Sequence, residues 1–173
     1  PDDYPLKIPE VLLNTTGNGK FRFNPNLYDT GKVCLSLLGT WPTNDSSEKW
    51  NAETSSFLQI LVSIQSLILI DDPYFNEPAY QPTINTTSGK DRSIQYNNNI
   101  YAETIKLAMI NQILNPVIGF EDIIKNHFKL KKNIIINQVT KWLIQYQSTN
   151  IIKLPQTNLE EQIIKLKDIL NNL

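Results

Sequence analysis

The residue best suited to carrying an acyl group is the single cysteine, Cys34, in Gly31-Lys32-Val33-Cys34-Leu35-Ser36-Leu37. A thiolate is nucleophilic and its thioester stays reactive, so an acyl group taken up there can be passed on. Eight residues upstream stands Asn26, within Phe23-Asn24-Pro25-Asn26-Leu27-Tyr28. An asparagine amide can donate a hydrogen bond to an oxyanion, and a donor aimed at developing negative charge is often worth about 3 kcal/mol. Pro25 stiffens the turn that would aim it. The chemistry requires the sulfur to be presented, unburied, beside that amide. Taken alone, a lone cysteine reads equally well as a small buried hydrophobe.

The elements around this pair are short at first and helical later. Glu10 to Thr16 reads as a short strand, Asn14 to Gly19 as turn chemistry, and Phe21-Arg22-Phe23 as a second extended piece. Phe57, Ile60, Leu61, Ile64, Leu67 and Ile68 have helical spacing, with Asn51 or Thr54 as the cap. Asp71-Asp72-Pro73 ends that helix, since the residue before proline is driven from helical geometry. Residues 71–96 read as a long loop, a helix is predicted from about Asn99 to Leu114, and another from Phe120 to about Gln147 with a break near Lys131–Asn133. Residues 148–157 read as a linker. Thr157 with Glu160 forms a capping-box pattern ahead of the apolar stripe Leu159, Ile163, Leu166 and Leu170 or Ile169. Strands followed by helices give an α+β class.

Composition removes several classes of function. The formal net charge is -1, which supplies no field to recruit nucleic acid or an anionic membrane. One cysteine cannot form an internal disulfide, so a disulfide-stapled secreted domain is excluded. The longest apolar stretch, Phe57 to Ile70, is interrupted by Gln59, Ser63, Gln65 and Ser66 and is too short and polar to span a bilayer. With no signal peptide at its start, the chain is expected in the cytoplasm, with the nucleus as a further site. Gly17-Asn18-Gly19 is a turn and not a phosphate cradle, and the one histidine, His127, sits in a helical pattern that suits a structural role better than a Cys-His dyad.

With those residues in place, the sequence resembles the ubiquitin-conjugating (E2) enzymes. Asn24-Pro25-Asn26 followed by Cys34-Leu35 is similar to the family's His-Pro-Asn tripeptide and the spacing to its active cysteine. Tyr4-Pro5-Leu6-Lys7-Ile8-Pro9 resembles the family's Tyr-Pro-x-x-Pro-Pro stretch, and Trp50 its tryptophan. Val33 to Trp41, Glu48 to Asn51, Thr54 to Gln59, Pro73 to Pro78 and Phe120 to Leu143 resemble the very large E2 enzymes of the BRUCE/Apollon and E2-230K type.

The resemblance implies a UBC-like α+β fold, with a short antiparallel sheet followed by helices. It implies a core over residues 1–145 that lacks the family's N-terminal helix and first strands, then a linker and amphipathic helix over 146–173. Cys34 would accept ubiquitin from an activating (E1) enzyme as a thioester and give it to a lysine of a protein substrate. Asn26 would stabilise the oxyanion or hold the loop. Glu77 falls where many members carry an acidic gate, and Leu6, Asn51 and Ala52 fall on the loops that meet a ligase (E3), separate or fused. No cofactor is implied for the chain itself, because ATP is used by the E1 partner. Asn24 departs from the family histidine, which is mainly structural, and Ser36 from a common acidic residue. The alternative is a non-catalytic E2-like module that binds ubiquitin or a ligase.

Overall fold

The computed structural model describes residues 2–149 and 158–173. The chain divides into two compact units, residues 1–93 and 94–173.

In the first unit the backbone is mostly irregular. The expected antiparallel sheet is reduced, among the described residues, to three isolated antiparallel bridges: Leu12 with Lys32, Asn24 with Leu27, and Leu27 with Val33. The reason lies in the turns. Gly31 has φ +91°, and a Cβ there would stand 3.0 Å from the carbonyl oxygen of Leu13, so only glycine allows this approach. The Leu13 N–H in turn donates to Gly31 O at 2.8 Å. Each pairing is thus interrupted by a turn before a ladder can extend.

The regular element of this unit is α1, Phe57–Ser63, which continues as a wider π-helical stretch, Ile64–Ile68. It is capped by Ser56 and Gln59 in a reciprocal capping box, and not by Asn51 or Thr54. Ile60 and Ile68 are fully buried and join Leu27, Val33, Leu35 and Leu38 in one apolar cluster, with Ile64 and Trp50 packed against it.

Helix α2, Thr87–Glu103, begins inside the stretch expected to be loop. Thr86 Oγ1 accepts from Gly89 N–H at 3.0 Å, an N-terminal cap. A Cβ on Gly89 would meet Thr83 O at 2.1 Å, so the glycine that weakens the helical pattern is what lets the start pack. The helix continues through a π-helical stretch, Thr104–Ile110, into α3, Asn111–Leu114.

In the second unit, α4 runs unbroken over Glu121–Ser148. The break expected near Lys131–Asn133 does not occur, because Ile135, Ile136, Val139, Trp142 and Leu143 carry the packed face onward past those polar residues. The last helix, α5, is Leu159–Asn171; Leu159, Ile163 and Leu166 are buried as the spacing predicts, and of the two candidates for the last position Leu170 is buried and Ile169 only partly so. The proposed cap Thr157 lies outside the described residues. Among the described residues, no helix is long and apolar enough to cross a membrane.

Candidate functional site

Cys34 follows the bridged residue Val33 and precedes a 3-10 turn, Ser36–Leu38. In an extended segment alternate side chains point to opposite sides. Val33 and Leu35 accordingly enter the apolar cluster of the first unit, whereas Cys34 is buried without joining it.

Asn26 and Cys34 come together as their spacing suggests, and the contact is reciprocal. The Cys34 N–H donates to Asn26 O at 2.8 Å, and Asn26 Nδ2 donates to Cys34 O at 3.2 Å. One N–H of the Asn26 amide is therefore spent on holding the cysteine's own carbonyl, and an amide nitrogen carries two. Asn26 Oδ1 is buried and has no hydrogen-bond partner among the described residues.

The thiol does not meet the requirement of exposure: Cys34 keeps only 3% of its accessible surface. Its two neighbours are drawn into the core, and its own N–H and C=O are tied to Asn26, so the segment lies against the body of the unit.

Asn24, the departure from the family tripeptide, is the hub beneath this turn. It is 2% exposed. Its Nδ2 donates to Ile68 O at 2.8 Å, and its Oδ1 accepts from Asn26 N–H at 2.8 Å and from Asn76 Nδ2 at 3.3 Å. Asn76 Nδ2 also donates to Leu67 O at 2.9 Å. The sequence gives Asn76 no role of its own beyond a place in the Pro73 to Pro78 stretch. Arg22 adds a clamp from outside: its guanidinium donates to the carbonyls of Asn24 and Pro25 and lies 4.0 Å from the centre of the Tyr28 ring.

Glu77 follows the 3-10 turn Pro73–Asn76 and is half-buried. Its segment is anchored to the Asn24 turn through Asn76, its immediate neighbour. No hydrogen bond among the described residues joins the Glu77 carboxylate to Cys34.

Leu6, Asn51 and Ala52 lie on two loops that the structure ties together. Trp50 Nε1 donates to Pro5 O at 2.8 Å, the Tyr4 and Trp50 rings sit 6.0 Å apart, and Phe57 N–H donates to the Tyr4 hydroxyl at 3.2 Å. Leu6 is 80% exposed. The Asn51 side chain is engaged locally, accepting from Glu53 N–H at 2.8 Å. A cleft of about 540 Å³ opens beside Leu35 to Leu37, walled by Ser36, Glu48, Lys49, Asn51, Gln59 and Ser63 among others.

The family model described as "Ubiquitin-conjugating enzyme" matches residues 1–104. The chain is 52% identical over 147 residues to the human dual E2 ubiquitin-conjugating enzyme/E3 ubiquitin-protein ligase BIRC6, which covers 85% of this chain and 3% of that protein. It is 45% identical over 170 residues to a probable ubiquitin-conjugating enzyme E2 of Acanthamoeba polyphaga mimivirus, covering 98% of this chain and 12% of that protein. A probable ubiquitin-conjugating enzyme of Caenorhabditis elegans is 43% identical over 143 residues, covering 83% of this chain and 19% of that protein. The chain thus spans a small part of the length of each of these relatives.

Proposed function

The chain belongs to the ubiquitin-conjugating enzyme family, close to the BRUCE/Apollon type, and on that premise we propose that Cys34 carries ubiquitin as a thioester and transfers it to a lysine amine. The observation that supports this most is the reciprocal pairing of Asn26 with Cys34, which sets an amide donor against the family's cysteine position.

The reaction has two exchanges. The Cys34 thiolate attacks the carbonyl carbon of the E1-ubiquitin thioester, a new carbon–sulfur bond forms, and the E1 thiolate leaves. A lysine amine then attacks the Cys34 thioester, a carbon–nitrogen bond forms, the Cys34 thiolate leaves, and the amine proton passes to solvent or to the Glu77 carboxylate. Both exchanges pass through a tetrahedral oxyanion, and it is in the second, the attack by lysine, that the second N–H of the Asn26 amide would act. ATP enters only through E1. Ubiquitin, E1, a ligase and a protein substrate are the partners of this reading, with Leu6, Asn51 and Ala52 on the ligase-facing loops. The 1–145 core remains its catalytic part.

Because Cys34 is covered, loading requires the groups over Sγ to move aside enough to admit the donor thioester. That same burial favours a second reading, an E2-like module that binds ubiquitin or a ligase without accepting it covalently. Incubation with E1, ubiquitin and ATP separates the two. The transferase gives an adduct that thiol reductant removes, absent in Cys34→Ala. Binding without any adduct on the native chain would establish the module instead. In Asn26→Ala, loading is expected near normal and discharge to lysine slow; equal discharge rates would remove the role given to Asn26.

A further inference from the structure

Thr40 lies in the Val33 to Trp41 stretch with no role assigned to it, yet its hydroxyl bonds the backbone on both sides of Cys34. Thr40 Oγ1 accepts from Leu35 N–H at 3.0 Å and donates to Val33 O at 2.6 Å. The Thr40 N–H also reaches Leu35 O at 3.3 Å. Gly39 makes this return possible: its φ of +64° closes the Ser36–Leu38 turn and sends the chain back along the cysteine segment. Asn26 already holds the N–H and C=O of Cys34 itself. Val33 O, Cys34 N, Cys34 O and Leu35 N are therefore each engaged, two by Asn26 and two by Thr40.

We propose that Thr40 is a positioning residue for Cys34: its hydroxyl, bridging Val33 O and Leu35 N, fixes the backbone angles at Cys34 and with them the direction of Sγ. The proposal rests on the transferase reading for its consequence but not for its geometry. With the hydroxyl gone, Val33 O and Leu35 N lose a partner while their residues remain in the core, and Cys34 is steered by Asn26 alone. A displacement of the nucleophile by about 1 Å can cost on the order of 100-fold in rate. The hydroxyl does not touch the acyl donor, so the loss falls on the chemical step and not on the encounter with E1.

The test compares Thr40→Val, Thr40→Ala and Thr40→Ser with the native chain, using E1, ubiquitin and ATP. For the valine and alanine variants, kcat for loading is expected to fall about tenfold, with KM for charged E1 within about twofold of native. Serine, which restores the hydroxyl, is expected to recover kcat to within about threefold. Alkylation of Cys34 by iodoacetamide, which needs no other protein, is expected to be faster in the valine and alanine variants and near native in serine. Should the native chain form no thioester, the transferase reading fails and the alkylation rates alone decide on Thr40. The proposal is overturned if native loads while Thr40→Val keeps native kcat, if Thr40→Ser is as slow as Thr40→Val, if only KM changes, or if alkylation is the same in all four. It is equally overturned if both hydroxyl-free variants are unfolded at 25 °C, since Thr40 would then serve the whole unit and not the cysteine.

Discussion

The two units hold their shapes by different physics. In residues 94–173, long helices satisfy their own backbone, and Ile105, Ile110, Val139, Leu159, Leu166 and Leu170 supply the cohesion, with Tyr101 and Trp142 stacked 4.5 Å apart. In residues 1–93, few backbone groups find ladder partners, and side chains take over that work. Asn24, Asn26, Thr40, Trp50 and Asn76 each bond a backbone carbonyl or amide distant or across a turn. An irregular backbone pinned by polar side chains can adopt a shape that neither helix nor sheet offers, such as the turn that sets Asn26 against Cys34. Its stability is correspondingly sensitive to single polar atoms, because a buried group that loses its partner recovers nothing from water.

Two substitutions of opposite kind bring out this contrast. Leu166→Ala removes a side chain that is 0% exposed in the helical unit. It should cost about 2–5 kcal/mol, read as lost amide-exchange protection across residues 94–173. Asn24→Leu keeps the branched outline of the side chain and makes the core of the first unit more apolar, yet it strands Ile68 O and Asn26 N–H. It should cost about 1–3 kcal/mol and also slow loading, since the Asn26 turn loses its support. If Asn24→Leu were neutral or stabilising by the same exchange measurement, polar pinning would not be what holds the first unit.

The parts legible in the sequence are those governed by periodicity. In α1 and its π-helical continuation the spacing finds the buried Ile60 and Ile68 but also picks out Phe57, Leu61 and Leu67, which are exposed, whereas the stripe of α5 follows it throughout, because amphipathic helices must repeat near 3.6 residues. Two helix boundaries were not legible. The start of α2 is polar and contains Gly89, which reads as loop until the approach of Thr83 O explains the glycine. The continuity of α4 past Lys131–Asn133 depends on apolar contacts that lie farther along the helix. At the site, the eight-residue spacing of Asn26 and Cys34 was informative because a bridged turn brings those positions together. Burial of Cys34 was not, since it depends on where its neighbours pack. Thr40 and Asn76 escaped notice because a side chain bonding distant backbone leaves no periodic trace.

The cap of α1 tests the contrast at smaller scale. Ser56 Oγ accepts from Gln59 N–H at 3.4 Å, and Gln59 Oε1 accepts from Ser56 N–H at 2.8 Å. Ser56→Ala should cost about 1 kcal/mol, seen as a lower melting temperature with Cys34 chemistry unchanged. A drop in Cys34 alkylation or loading as large as that of Asn24→Leu would show that any loss in this unit reaches the cysteine, and the pins would not be local.

The smallest effect is expected with pH. Asp45 caps the Ser46–Glu48 turn, accepting from the Ser47 hydroxyl and from Ser47 N–H, both at 2.8 Å. Those two bonds hold its carboxyl below the ordinary aspartate value, the hydroxyl contributing most and burial opposing slightly. A carboxylate whose folded value is depressed stabilises the folded form at pH above its unfolded value, and that contribution is lost as pH falls through the folded one. The turn should therefore be intact near neutrality and loosen only on acidification below the usual carboxylate range. Because Asp45 is fully exposed, the change should stay in residues 43–49. Carbon-detected titration of the Asp45 carboxyl, with amide shifts of Ser46 to Lys49, reads it directly. An ordinary aspartate midpoint would mean that exposed side-chain caps in this unit are not populated in solution. The pins of this unit would then be Asn24, Asn26, Thr40, Trp50 and Asn76, which bond backbone distant in the chain or across a turn.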